Sequence, residues 1–508
     1  MAVSEKMKRE IRTYRFLEIL PGAFIWLTFA VTLVAIFWKP LWAIVFIIVF
    51  DVLWLVRITY VLTYIILAYT RYRRANKIDW LAQCQQPRLL GRFHQLKHVV
   101  VVPSFRDEFH IIDTSLRYLV ESSVPREQIF VVLALEERDG ERAHELGRQL
   151  SEKYGHQFGQ WLVTYHPADL AGEMPGKGSN ISWAGHRMKE RIDELGWNYD
   201  DIIVTSLDVD SCVHREYLAC LSYEFMTQAY PHRNSYQPIP VFQNNTWDAP
   251  AFTRVVASST TFWLLSETIR NDRMFTFSSH SMSFRALVDV GFWQNDIVTE
   301  DSRIFLQCLV NYDGDYEVVP IYLPVSMDTV QGRTFWQSVV NQYKQIRRWA
   351  YGTENLPFMI WNFRDMPTMS LRKKLRYIWN QLEGEYSWAT APILIFVLGY
   401  APLWVAPEAV RTTALFQSAP FVLQTILTLS LTGLFVSAAI TWMILPPRPR
   451  KVKQWRKLAM IFQWVVFPIT TIAFGSIPAI EAQTRLMLGK YLGFWTTEKV
   501  RSEESSKE

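Results

Sequence analysis

Ile202-Ile203-Val204-Thr205-Ser206-Leu207-Asp208-Val209-Asp210 is an apolar, β-branched run that stops at two carboxylates one residue apart. The run reads as a strand buried on both faces. Two carboxylates at the C-terminal end of such a strand, beside a loop, can hold a hard divalent ion. Mg2+ or Mn2+ there would also bridge the oxygens of a diphosphate. On its own an Asp-x-Asp also serves as surface charge or a helix cap, so the reading depends on its surroundings.

Upstream, His98-Val99-Val100-Val101-Val102 is a second buried-strand run, ended by Pro103, and Ile129 to Leu135 is a third. Polar stretches of helical character separate them, as in a mostly parallel α/β sheet. This places an α/β domain at about 95–333.

Long apolar runs lie outside that domain. One covers about Leu20 to Phe37, and another follows Lys39-Pro40 to about Tyr69. Three more lie at about 388–405, 420–445 and 458–480. A membrane-crossing helix needs roughly 20 apolar residues, so about two spans precede the domain and about three follow it. Lys6, Lys8, Arg9, Arg12 and Arg15 precede the first span, and Arg71, Arg73, Arg74 and Lys77 follow the second. Flanking basic residues mark the cytoplasmic side, which puts the central domain in the cytoplasm of an integral, multi-pass protein of the plasma or inner membrane. The basic loop Arg448 to Lys453 fits the same side. A fifth crossing would then leave the following residues outside, unless that segment, with Pro468 and Pro478, is re-entrant.

The divisions that follow are a membrane region 1–94, the domain 95–333, amphipathic helices in 334–384, a second membrane region 385–482 and a tail 483–508. Apolar stripes define the two amphipathic helices. Trp336, Val340, Tyr343 and Ile346 make one at about 335–351. Leu371, Leu375, Ile378, Trp379 and Leu382 make the other at about 370–384, opposite Arg372, Lys373, Lys374 and Arg376. An apolar face against a basic one suits the membrane surface and its lipids. Asp51 and Arg57 in the second span are costly there and need partners on other spans; they are candidates for lining a pathway through the membrane. The tail from Arg501 to Glu508 reads as unstructured.

The formal net charge of +5 over 508 residues is mild, and the basic residues cluster beside apolar runs. There is no basic stripe with interleaved aromatics, so nucleic acid is not an expected partner. Cys84, Cys212, Cys220 and Cys308 lack metal-type spacing and fit a reducing compartment.

Further motifs follow in order. Gly176-Lys177-Gly178-Ser179-Asn180 could bring backbone amides and an ammonium to a phosphate, though it lacks the P-loop pattern and alone reads as a turn. Thr299-Glu300-Asp301 offers a carboxylate able to take a proton from a hydroxyl. Gln345, Arg348 and Trp349 stand at i, i+3 and i+4 on the first amphipathic helix and share a face. A guanidinium there can fork onto phosphate, and an indole can stack on a sugar or base.

Taken together, from Val99 to about Trp349, these motifs resemble the family 2 membrane glycosyltransferases, which include the cellulose and hyaluronan synthases. The order is Val101-Val102-Pro103-Ser104-Phe105, Gly176 to Asn180, Asp208-Val209-Asp210, Ser281-Met282-Ser283-Phe284-Arg285, Thr299-Glu300-Asp301 and Gln345-x-x-Arg348-Trp349. The resemblance implies a GT-A fold and an inverting transfer from a nucleotide-sugar, UDP-sugars being favoured. It implies a glycan or lipid-linked acceptor and an accessory export subunit among the partners. By the same resemblance Asp208 and Asp210 contact the metal and diphosphate, and Asp301, beside Glu300, is the general base. Lys177, Pro103 and Ser104 lie near the nucleotide; Gln345, Arg348 and Trp349 hold the diphosphate and, through Trp349 with Ser281, the acceptor end. Two positions depart from the family. Its Asp-Asp pair after the second strand is here Glu136 and Asp139, and its Gly before the acceptor stretch is Ser279. A processive polysaccharide synthase is the leading expectation. Transfer of one or a few sugars to a lipid is the second, and a non-catalytic scaffold the third.

Overall fold

The computed structural model describes residues 5–449, 452–493 and 495. The tail from Arg501, and Arg450 and Lys451 of the basic loop, lie outside these residues, as does the side chain of Lys6.

Among the described residues eight strands form one mixed sheet in the order β3-β2-β1-β4-β7-β6-β8-β5. The first half is parallel: β1 (Lys97–Pro103), β2 (Ile129–Glu136), β3 (Gln160–His166) and β4 (Ile202–Ser206). Both faces are covered. Val100, Val102, Val131, Leu133 and Ile203 pack into one core, and Val99, Val101, Phe130, Val132 and Val204 into the other. Each of these side chains contributes roughly 1.5–3 kcal/mol by burial, which explains why the strands read as unbroken apolar runs rather than alternating ones.

The second half is β5 (Cys212–Val213), β6 (Asn234–Phe242), β7 (Ser281–Ser283) and β8 (Glu317–Met327). The short β7 runs antiparallel to both β4 and β6 and reverses the sheet's direction there, while β6 and β8 are parallel with a register shift between Pro238 and Ile239. The site residues gather at the carboxyl end of β4, beside this reversal.

Among the described residues five helical segments are long and apolar enough to cross a membrane: Lys8–Trp38, Pro40–Ala75, Leu371–Val405, Ala414–Ile444 and Gln454–Met487. Two precede the domain and three follow it, as the sequence indicates. The second amphipathic helix is not a separate element. It runs on as one helix, Leu371–Ile393, into the third apolar segment, through the expected division at 384/385. Nothing breaks the backbone there, since Gly384 is tolerated mid-helix. Residues 371–384 therefore form the first turns of that long helix. Its exposed stripe is Leu371, Leu375 and Trp379, while Ile378 and Leu382 pack on the domain.

Arg57 finds the partner it needs on that helix. It pairs with Glu383, donates to Ser387 Oγ (3.0 Å) and lies over the Trp54 ring (4.6 Å). Asp51 is buried within the helix assembly.

Candidate active site

Lys177 joins the acidic motifs. Its ammonium lies 2.7 Å from Asp208 Oδ1, 2.8 Å from Asp301 Oδ2 and 3.9 Å from Glu300 Oε1. Burial works against the charge of Lys177, but the carboxylates of Asp208, Asp301 and Glu300 outweigh it and hold the ammonium protonated above the ordinary lysine range. Residues 31 and 124 positions from Lys177 in the chain thus meet on one nitrogen.

The Gly176–Asn180 stretch is not a turn. Lys177 opens the helix Lys177–Glu194, with Ser179 Oγ accepting from Gly176 N (3.3 Å). Asn180 Nδ2 donates to the Ala134 carbonyl (2.8 Å), which also receives Ser104 N (2.9 Å). One carbonyl of β2 therefore fixes both the Lys177 helix and the loop after Pro103. Gly178 is needed for close approach: a Cβ there would meet the Gln294 carbonyl at 3.0 Å and Glu300 Cβ at 3.3 Å.

Asp208 Oδ2 accepts from Ser278 Oγ (2.7 Å). Asp210 is fully buried, and its Oδ2 accepts from Asp328 N at 2.8 Å. Among the described residues no three His, Cys, Asp or Glu side chains form a metal cage. A Mg2+ or Mn2+ ion that takes most of its oxygens from a diphosphate and water needs only one or two carboxylates, so the Asp208–Asp210 pair fits such an ion.

Glu300 and Asp301 open the helix Glu300–Asn311. Asp301 is the more exposed, its side chain 21% accessible against 3% for Glu300. Burial, and then the neighbouring Asp301 charge, push the Glu300 carboxyl well above the usual range, against the opposing pull of Lys177 and Arg348. His280 is buried with Nδ1 3.6 Å from Asp301 Oδ1 and donates from that nitrogen to the Phe277 carbonyl (3.0 Å). Burial holds its imidazole below the ordinary value.

Gln345, Arg348 and Trp349 lie on the helix Phe335–Ala350. Gln345 and Trp349 border a small enclosed cavity with Gln342, Asp328, Thr329 and Phe242. Asp328 links this cavity to Asp210 through its backbone amide.

Glu136 and Asp139 sit at the end of β2. Glu136 is buried and paired with Arg138, and Asp139 accepts from Arg106 N (3.3 Å). Ser104 is buried and donates to Asp107 (3.0 Å). Ser281 differs from its expected place at the acceptor end. It is fully buried in β7, bonded to Thr205 Oγ1 (2.7 Å) and Tyr217 OH (3.0 Å), and so its hydroxyl ties strands together.

Ser278, His280 and Asp328 are site neighbours that sequence reasoning did not single out. A further one is Glu354, whose Oε1 accepts the Thr299 hydroxyl at 2.5 Å. Thr299 stands at the N-cap of the Asp301 helix yet makes no capping bond with its side chain.

A parallel sheet that reverses beyond the strand bearing an Asp-x-Asp, with a carboxylate helix and an Arg-Trp helix closing on it, defines a GT-A-type transferase. The sequence matches the model of glycosyl transferase family group 2 over residues 203–477, more than half of the chain, and the protein belongs to that family. A comparison with curated proteins finds no match. Among solved structures it is similar to the mannosyltransferase PcManGT from Pyrobaculum calidifontis, in complex with GDP-Man and Mn2+. There the TM-score is 0.39 and the identity 13%, covering 83% of this chain and 99% of that one. It is also similar to S. aureus TarS 1-349 in complex with UDP-GlcNAc, with a TM-score of 0.36 and 12% identity, covering 68% and 92%.

Proposed function

We propose that this glycosyltransferase is an inverting enzyme that moves a sugar from a cytoplasmic nucleotide-sugar to a growing glycan, processively, with export through its membrane region. The observation that carries the reading is the meeting of Asp208 and Asp301 on Lys177. It gathers a diphosphate-binding carboxylate, a candidate base and a cation into one site.

In this reading Asp301 accepts the proton of the acceptor hydroxyl as its oxygen attacks the anomeric carbon. The bond to the nucleotide diphosphate breaks on the opposite side, and the diphosphate leaves with the electron pair. Arg348 and Lys177 offset its charge in a site where such pairing is strong. Donor binding would draw Lys177 toward the phosphates and leave Asp301 open to the acceptor. Asp208 and Asp210 would hold Mg2+ or Mn2+, which neutralises diphosphate charge when bound. Trp349, beside the Gln345 cavity, is a stacking surface for the acceptor sugar.

Nucleotide diphosphate release by the purified protein, with Mg2+ or Mn2+ and a panel of UDP- and GDP-sugars, tests this. Release with one donor and a high-molecular-weight product is expected. Release with only a small lipid-linked product would favour transfer of one or a few sugars to a lipid. No release with any donor, with and without lipid acceptor, would contradict the catalytic reading.

A further inference from the structure

The last apolar segment, Gln454–Met487, has the length of a span, but it meets the catalytic domain from end to end. Near its start Arg456 donates to the Trp247 carbonyl (3.2 Å). Next, Gln463 accepts from Arg254 (2.7 Å) and Trp464 stacks on Phe262 at 5.8 Å. In the middle Phe474 stacks on Phe252 at 5.0 Å. Towards the end Glu481 accepts from Tyr343 (2.6 Å) and Arg347 (2.7 Å), on the helix bearing Arg348 and Trp349.

The exit is fixed as well. Arg15, which precedes the first apolar run, donates to the carbonyls of Leu486 (2.7 Å) and Met487 (2.5 Å). Lys344 lies over the Trp495 ring at 4.9 Å. A crossing segment would separate its two ends by the hydrocarbon thickness, about 30 Å, and only one end could touch a domain on one face of the membrane. Here both ends do. The segment is also bent: 3-10 and π turns at Gln463–Val466 and Ile472–Ser476 interrupt the α-helix, next to Pro468 and Pro478.

Its other face is apolar and open. Trp455, Leu458, Phe462, Val465 and Ile469 alternate at spacings of three and four and are 53% to 76% exposed. This is one stripe of a helix, turned away from the residues that bind the domain. Lys453 and Lys457 stand at its start, where phosphate headgroups would lie.

The geometry points to a segment that does not cross the membrane. It lies within one leaflet under the catalytic domain, its stripe seated among lipid acyl chains and its basic start among headgroups. Four segments then cross, and the chain returns after Met487 to the catalytic side. The bonds of Glu481 make this lipid-seated element the support of the Arg348 helix.

The four native cysteines are buried, so single cysteines can be labelled in sealed vesicles with a membrane-impermeant maleimide. Lys490→Cys is expected to label from the same side as Glu190→Cys in the domain, and Lys39→Cys, between the first two segments, from the opposite side. Labelling of Lys490→Cys from the Lys39 side would overturn the proposal. A fluorophore at Leu458→Cys or Ile469→Cys should be quenched more by a spin label near the headgroup than by one at the chain end. Stronger quenching of the Ile469 probe by the chain-end label would also overturn it. Neither readout depends on sugar transfer, so failure here leaves the proposed reaction untouched.

Discussion

At Ser279 the backbone has φ +64°, in the left-handed region that favours glycine. The family's glycine at this position therefore has a conformational reason, and this chain holds a serine there instead. Its hydroxyl lies 3.1 Å from Ser211 Oγ, a compensating bond in a fully buried place. Ser279→Gly exchanges that bond for relief of strain and is expected to change stability by no more than about 1 kcal/mol. Ser279→Val, β-branched at positive φ and without the hydroxyl, should cost at least about 2 kcal/mol. Thermal unfolding of the two variants in detergent measures both; equal losses would show that conformation is not the issue. His98 is the other informative residue. Burial holds its imidazole down to about 3 from an ordinary 6.5, and it bonds Ser222 Oγ at 2.8 Å. A depressed value means that its contribution is complete above pH 6.5 and is lost as pH falls from 6.5 towards 3. The slope is up to about 1.4 kcal/mol per pH unit. The melting temperature should fall over that window, and His98→Gln should flatten the fall; an unchanged acid limb would contradict the assignment.

The helix that bears Asp301 starts without its usual cap, because the Thr299 hydroxyl is turned to Glu354. The stretch after Trp349 instead bonds to side chains of the helix's first turn. Asn355 Nδ2 donates to Ser302 Oγ (2.9 Å), and Arg303 reaches Asn355 Oδ1 (2.7 Å) and the Glu354 carbonyl (3.3 Å). The carboxylate helix and the Arg348 helix are thereby held as one unit. Glu354→Gln keeps the shape but weakens the charge-assisted bond. It is expected to lower the turnover number about tenfold with the donor constant unchanged, while Thr299→Ser restores most of the rate lost in Thr299→Val. A rise in the donor constant alone would contradict this coupling. Such contacts are hidden in a sequence: Thr299 and Glu354 are 55 residues apart, and Ser278 and Asp208 are 70 apart. The strands differ in the same way. β1, β2 and β4 were legible to within a residue or two because both of their faces are buried in apolar cores. β6 and β8 carry Pro238, Pro240, Pro320 and Pro324, which read as breaks in a strand.

For the whole molecule, the arrangement of a domain between apolar segments was legible because hydrophobic length is a local property of the chain. Two features were not. The continuity of Leu371–Val405 lacks any signal at Gly384, and the course of the last segment depends on contacts with Trp247, Arg254 and Arg15, far away in sequence. The motifs Asp208-x-Asp210, Thr299-Glu300-Asp301 and Gln345-x-x-Arg348-Trp349 were legible one by one, and the fold adds the meeting of the first two on Lys177. That meeting is most directly tested by Asp301→Asn, measured for donor binding by calorimetry and for sugar transfer by nucleotide diphosphate release. Donor affinity within a few-fold of wild type, with transfer reduced about a thousandfold, is the predicted result. Transfer at the wild-type rate would contradict the assignment of Asp301 as the base.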